Sequence, residues 1–91
     1  MQVDCEFYAT VRDAVGTKRR TREFEAGTTV REALHALADA HEGLGPLLFD
    51  GDGDVRPTIA VSVNGDPVGE AFDRVLSGGD TLIVAPGVAG G

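Results

Sequence analysis

Residues 29–41 hold the clearest helix in this chain, and strand-like stretches lie on both sides of it. Thr29, with Glu32 three residues later, fits a capping box, in which each side chain satisfies an otherwise unpaired backbone donor of the first turn. Val30, Ala33, Leu34, Leu37 and Ala38 then recur at helical spacing and line one face. The pattern runs to about His41 and stops before Gly43. A lone amphipathic helix has one apolar stripe to cover, so the strands around it must offer one apolar surface in return.

The strands are read from period-two alternation. Val3, Cys5 and Phe7 alternate with Asp4, Glu6 and Tyr8, so Cys5 packs inward as a small apolar residue and Tyr8 faces outward. Residues 9–17, which include Gly16, read as a connection. Residues 18–25 (KRRTREFE) then resemble an edge strand whose charges discourage edge-to-edge association. Beyond the helix, residues 45–49 (GPLLF) predict a short helical turn that adds apolar cover. Ile59, Val61 and Val63 point inward from the next strand, with Ala60 and Ser62 outward. Asn64-Gly65 marks a tight turn, and Pro67-Val68 a short extended piece. Phe72, Val75 and Leu76 occupy a turn-rich link, after which Leu82 and Val84 line one face of a final strand and Thr81, Ile83 and Ala85 the other. The sum is an α+β fold, a mixed sheet with one main helix packed across one face.

Ninety-one residues make one domain, with no room for a deep cleft of its own. Fifteen Asp and Glu stand against eight Lys and Arg, so the chain lacks the basic footprint that nucleic acid requires. Lys18 is the only lysine, the apolar residues lean towards Ala and Val, and aromatics are few. This resembles the composition of proteins adapted to salt-loaded cytoplasms, as in halophilic archaea, with an ordinary acidic mesophile protein as the alternative. A single cysteine allows no intramolecular disulfide and no multi-cysteine metal site. The start shows no export signal and no stretch approaches a membrane span, so a cytoplasmic protein without a membrane partner is expected. His35 and His41 have no second ligand at metal spacing, and solvent-facing or capping roles are expected for them. Asp50-Gly51-Asp52-Gly53-Asp54 invites a calcium reading, but Val55 and Val61 stand where the motif needs glycine and glutamate. Neither a metal nor a cofactor is expected.

The chain closes on Pro86-Gly87-Val88-Ala89-Gly90-Gly91. A glycine pair buries nothing and loses the most backbone entropy on ordering, so it contributes little to stability. Residues 86–91 read as a thin, flexible tether behind a domain of residues 1–85, with a terminal carboxylate fit for threading into a narrow site.

Three stretches carry a family resemblance: Phe7-Tyr8-Ala9-Thr10-Val11-Arg12, Thr29-Val30-Arg31-Glu32-Ala33-Leu34, and the close from Gly79-Asp80-Thr81 to Gly91. With this element order, the chain resembles the β-grasp ubiquitin-like proteins. Within them it is similar to the molybdopterin synthase small subunit, the thiazole-pathway sulfur carriers and the small archaeal ubiquitin-like modifiers. The resemblance implies a protein that is not an enzyme but the substrate of an E1-like activating enzyme. That enzyme uses ATP to adenylate the Gly91 carboxylate. The activated end then joins lysines of target proteins through isopeptide bonds, or becomes a thiocarboxylate that donates sulfur. Gly90 and Gly91 suit either route, since side chains there would obstruct a narrow channel. A dedicated small subunit, serving only a molybdopterin synthase large subunit in molybdenum cofactor biosynthesis, needs the same tail and stays open. A non-covalent binding module is the third alternative.

Docking is expected on the sheet face away from the helix, through Tyr8, Pro67, Ile83, Ala85 and Pro86, because apolar residues on a solvent face beside a reactive tail mark a partner surface. Lys18 carries the one internal ε-amine that could accept a second copy, or is an ordinary surface residue. The tail departs from close relatives in one place, with Pro86-Gly87 where two prolines are frequent, which bears on its stiffness more than its chemistry.

Overall fold

Strands β1 (Gln2–Phe7), β2 (Arg19–Glu23), β3 (Ile59–Val63), β4 (Asp66–Pro67) and β5 (Thr81–Pro86) form a single sheet in the computed structural model of the chain, which describes residues 1–87. Their order across the sheet is β2-β1-β5-β3-β4. The first and last strands therefore meet in the middle, with β5 parallel to β1 and antiparallel to β3. Strands covered on both sides carry the most apolar inward residues, and here Val3, Cys5, Phe7, Leu82 and Val84 are all fully buried.

Helix α2 (Val30–Ala40) supplies the other half of the core. Its capping box is complete: Thr29 Oγ1 accepts from the Glu32 N–H (3.2 Å), and Glu32 Oε1 accepts from the Thr29 N–H (3.0 Å). Val30, Ala33, Leu34 and Leu37 are fully buried and share one cluster with the inward strand residues. This is the mixed sheet with one main helix across a face that the apolar patterns require.

Residues 9–17 correct the sequence reading. They fold as α1 (Ala9–Val15), closed by Gly16 in the left-handed region (φ 92°), where its N–H donates to the Arg12 carbonyl. Val11 and Val15 are buried and Ala14 packs against the core, but three positions within one turn are too short a run to establish a period. The expected helical turn after α2 is present as α3 (Gly45–Leu48), with Leu44 and Leu48 fully buried.

The β3–β4 turn is built by Asn64 and Gly65, both at positive φ (53° and 86°), the geometry that matches strand twist in a two-residue hairpin. Asn64 also ties this turn to β5: its amide donates to Asp80 Oδ1 (2.8 Å) and its carbonyl accepts from the Thr81 N–H (2.9 Å). In the acidic loop, Asp50 Oδ1 accepts the N–H groups of Asp52 and Asp54 (2.9 and 3.1 Å), so this carboxylate braces its own loop. Cys5 is buried and its thiol is pushed up to about 11, chiefly by desolvation, as for a packing residue rather than a nucleophile.

Candidate functional site

Strand parity sorts the sheet into two faces. Asp4, Glu6 and Tyr8 at β1, Thr81, Ile83 and Ala85 on β5, and Ala60 and Ser62 on β3 turn away from α2. Register then sets neighbours. Ile83 pairs with Glu6 on one side and Ser62 on the other, and Ser62 pairs in turn with Pro67. Ala85 pairs with Ala60, two residues nearer the end of β5. Tyr8, Pro67, Ile83 and Ala85 thus share one face, with Pro67 and Ala60 exposed and the other three half-buried.

Pro86 stands apart. It pairs with Ile59 and has the parity of Leu82 and Val84, so it belongs to the helix side of the sheet at the strand's end. Gly87 follows, and its N–H donates to the Thr58 carbonyl. A Cβ at position 87 would sit 3.1 Å from that oxygen, and a proline would have no N–H to give. A second proline here would forfeit this bond, and any other side chain would crowd Thr58 by a few tenths of an ångström. Gly90 and Gly91 lie outside the described residues.

One end of the face is polar and closely tied. The Tyr8 hydroxyl donates to Glu6 Oε1 (3.0 Å), while Arg19 Nη2 stands 3.7 Å from Glu6 Oε2. The Lys18 ammonium lies over the Tyr8 ring, 5.3 Å from its centroid. Glu6 keeps only 14% of its side chain exposed. The bond to Glu6 raises the Tyr8 pKa above its ordinary 10.0, because ionisation would forfeit the donor and set two negative charges together. Lys18 is placed by its backbone, whose carbonyl accepts from the Phe7 N–H (2.8 Å); Phe7 is level with Val84. The lysine therefore stands at the end of the sheet where β5 finishes, with β1 between them.

Glu6 and Arg19 were not among the residues expected at the site. The available signal was the i, i+2 spacing of Glu6 and Tyr8, which puts carboxylate and phenol on the same strand face. The two histidines do other work: His35 stacks on Phe49 (centroids 4.1 Å apart, planes within 7°), and His41 is the C-cap residue of α2. Among the described residues no group of three or more His, Cys, Asp or Glu could hold a metal ion, and no helix is long and apolar enough to cross a membrane. The arrangement brings together an apolar row, a carboxylate held by a phenol beside a guanidinium, and a lysine at the rim.

Residues 5–91 match the ThiS family. Small archaeal modifier protein 3 of Haloferax volcanii is 34% identical, with the whole of both chains covered. The crystal structure of small archaeal modifier protein 1 from the same organism superposes with a TM-score of 0.88 at 28% identity, again over all of both chains. A chain of the BexX/CysO complex of Amycolatopsis orientalis matches with a TM-score of 0.74 and 28% identity, covering 98% of this chain and 99% of that one. The acidic, lysine-poor composition agrees with the halophilic origin of the Haloferax relatives. The chain is a homologue of the small archaeal modifiers and belongs to the ThiS family of ubiquitin-like β-grasp proteins.

Proposed function

We propose that this protein is a ubiquitin-like modifier and sulfur carrier whose Gly91 carboxylate is activated by an E1-like enzyme with ATP. The observation that carries the reading is the position of β5. It is clamped between β1 and β3 and runs towards the terminus, beside a partly exposed apolar row on the face turned away from α2. An anchored strand is a firm base for a reactive end. A fully extended chain gains at most about 3.6 Å per residue, so the four residues after Gly87 can span about 14 Å. That is enough to enter a partner's site while the globule stays outside.

The chemistry follows from the carboxylate. One oxygen attacks the α-phosphorus of ATP, and pyrophosphate leaves with the electrons of the broken P–O bond. The resulting acyl adenylate has a good leaving group where the carboxylate had none. A target lysine amine can then attack the carbonyl carbon, releasing AMP and forming an isopeptide bond. Alternatively hydrosulfide attacks the same carbon, the C–S bond forming as the C–O bond to AMP breaks, and AMP leaves with the electron pair while loss of the S–H proton gives a thiocarboxylate. Tyr8, Pro67, Ile83 and Ala85 dock on the activating enzyme, with Glu6 fixing the polar end. ATP-dependent activation assigns this work to the cytoplasm. Lys18, as the only lysine, is the acceptor for any lysine-linked chain of copies.

The test compares tagged wild type with a deletion of Gly90 and Gly91, both expressed in native cells. Immunoblot bands of higher mass that survive denaturant and reductant, and vanish in the deletion, are expected. Intact mass should also reveal a free species with sulfur in place of one oxygen. That species without the bands would favour a dedicated carrier working with a molybdopterin synthase large subunit. Absence of both signals would overturn the proposal and leave a non-covalent binding module.

A further inference from the structure

We infer that acylation of Lys18 and activation of the same copy's terminus exclude one another. The inference rests on the docking face proposed above and concerns how that face is regulated. Two independent features of Lys18 carry it. Its ammonium lies on the ring of Tyr8, a residue of the face. Its backbone, bonded to Phe7, fixes it at the end of the sheet towards which β5 delivers the tail. A partner that takes the tail into an active site and covers Ile83 and Ala85 must therefore pass over or beside Lys18.

Acylation changes that place in two ways. The Lys18 amine, as the free base, attacks the carbonyl carbon of a second copy's acyl adenylate. The C–N bond forms while the C–O bond to AMP breaks, AMP leaves with the electron pair, and a solvent base takes the amine proton. The amide that results is neutral, so the cation on the Tyr8 ring is gone. It also tethers a whole second domain to the rim of the face. A copy that has received another at Lys18 can then no longer dock for activation of its own terminus. Linked copies made free in solution cannot be passed to a target, and a chain on a target grows by adding single copies at its outermost Lys18.

Lys18 can be tested alone because no other lysine competes. Treatment with N-hydroxysuccinimide acetate modifies Lys18 and the Met1 amine. The same treatment of Lys18→Arg modifies only Met1 and sets the baseline. The readout is ATP–pyrophosphate exchange with the E1-like enzyme that activates the untreated wild type. Acetylation of the wild type should raise KM for the protein about tenfold beyond that baseline, the size of one well-packed interface contact, with kcat at saturation unchanged. A KM unmoved by acetylation overturns the inference. Ile83→Asp, run alongside, separates the two layers. If it raises KM while acetylation does not, this inference alone falls. If neither raises KM, the docking face falls with it.

Discussion

His41 ends α2 with its backbone N–H on the Leu37 carbonyl (3.1 Å) and with a ring nitrogen, Nε2, that is buried without a partner among the described residues. Burial disfavours the imidazolium, and the like charges of Arg20 and Arg22 add to this, so its pKa lies below the ordinary 6.5. The unfolded chain then takes up the proton first as pH falls. The stabilising contribution is complete above 6.5 and is lost on descent through the lower, folded-state pKa. Glu32 and Asp80 act in a separate, more acidic window. Hydrogen bonds hold them below 4.5 and 3.8, so their contributions are present above those values and lost further down. Between about pH 7.5 and 5.5, at fixed salt, the urea midpoint of the wild type should therefore fall while that of His41→Gln stays level. A level wild-type midpoint would contradict the account. At this scale the sequence showed which way Tyr8 and Cys5 point, because alternation is local. It did not show that Tyr8 bonds Glu6 or carries Lys18 on its ring, since those contacts depend on rotamers and on the approach of β2.

Legibility differed sharply between the two longer helices. The start of α2 was readable because Thr29 and Glu32 bond to backbone only three residues away. The cap itself has a measurable worth. Thr29→Ala should lower the free energy of unfolding by about 1 kcal/mol, with Thr29→Asp recovering most of it, as read by urea denaturation. No loss in the alanine variant would mean that packing alone sets the start of α2. The seven-residue α1 gave no comparable signal. Its N-cap, Tyr8, makes no side-chain cap bond, and a helix this short relies on tertiary contact, here from Val11 and Val15. The strands lie between these cases. Their faces followed from alternation, and Asn64-Gly65 fixed the one hairpin whose turn chemistry is written in two residues. Pro86 was placed with the docking residues through its nearness to the tail, whereas its register with Ile59 turns it to the other side.

Strand order was the part least accessible to residue patterns, since alternation assigns a face but not a neighbour. The β-grasp resemblance implied a mixed sheet, and the structure supplies the order. It matters because β1 and β5 lie side by side and parallel, in register from Asp4 with Thr81 to Phe7 with Val84. The beginning of the chain thus leaves one end of this pair and the tail the other, while Lys18 sits at the tail's end. That geometry makes the molecule mechanically directional. A pull between Met1 and the tail loads β1 against β5 in shear, so their bonds must yield together. A pull between Lys18 and the tail acts across the strands at one end and parts the bonds in sequence. In an optical trap, the first attachment should require the larger unfolding force, and equal forces would refute the directionality. A copy fixed to its target by the tail and drawn by its first residues would then be a stiff handle. One drawn through Lys18 would open at the very edge from which it is held.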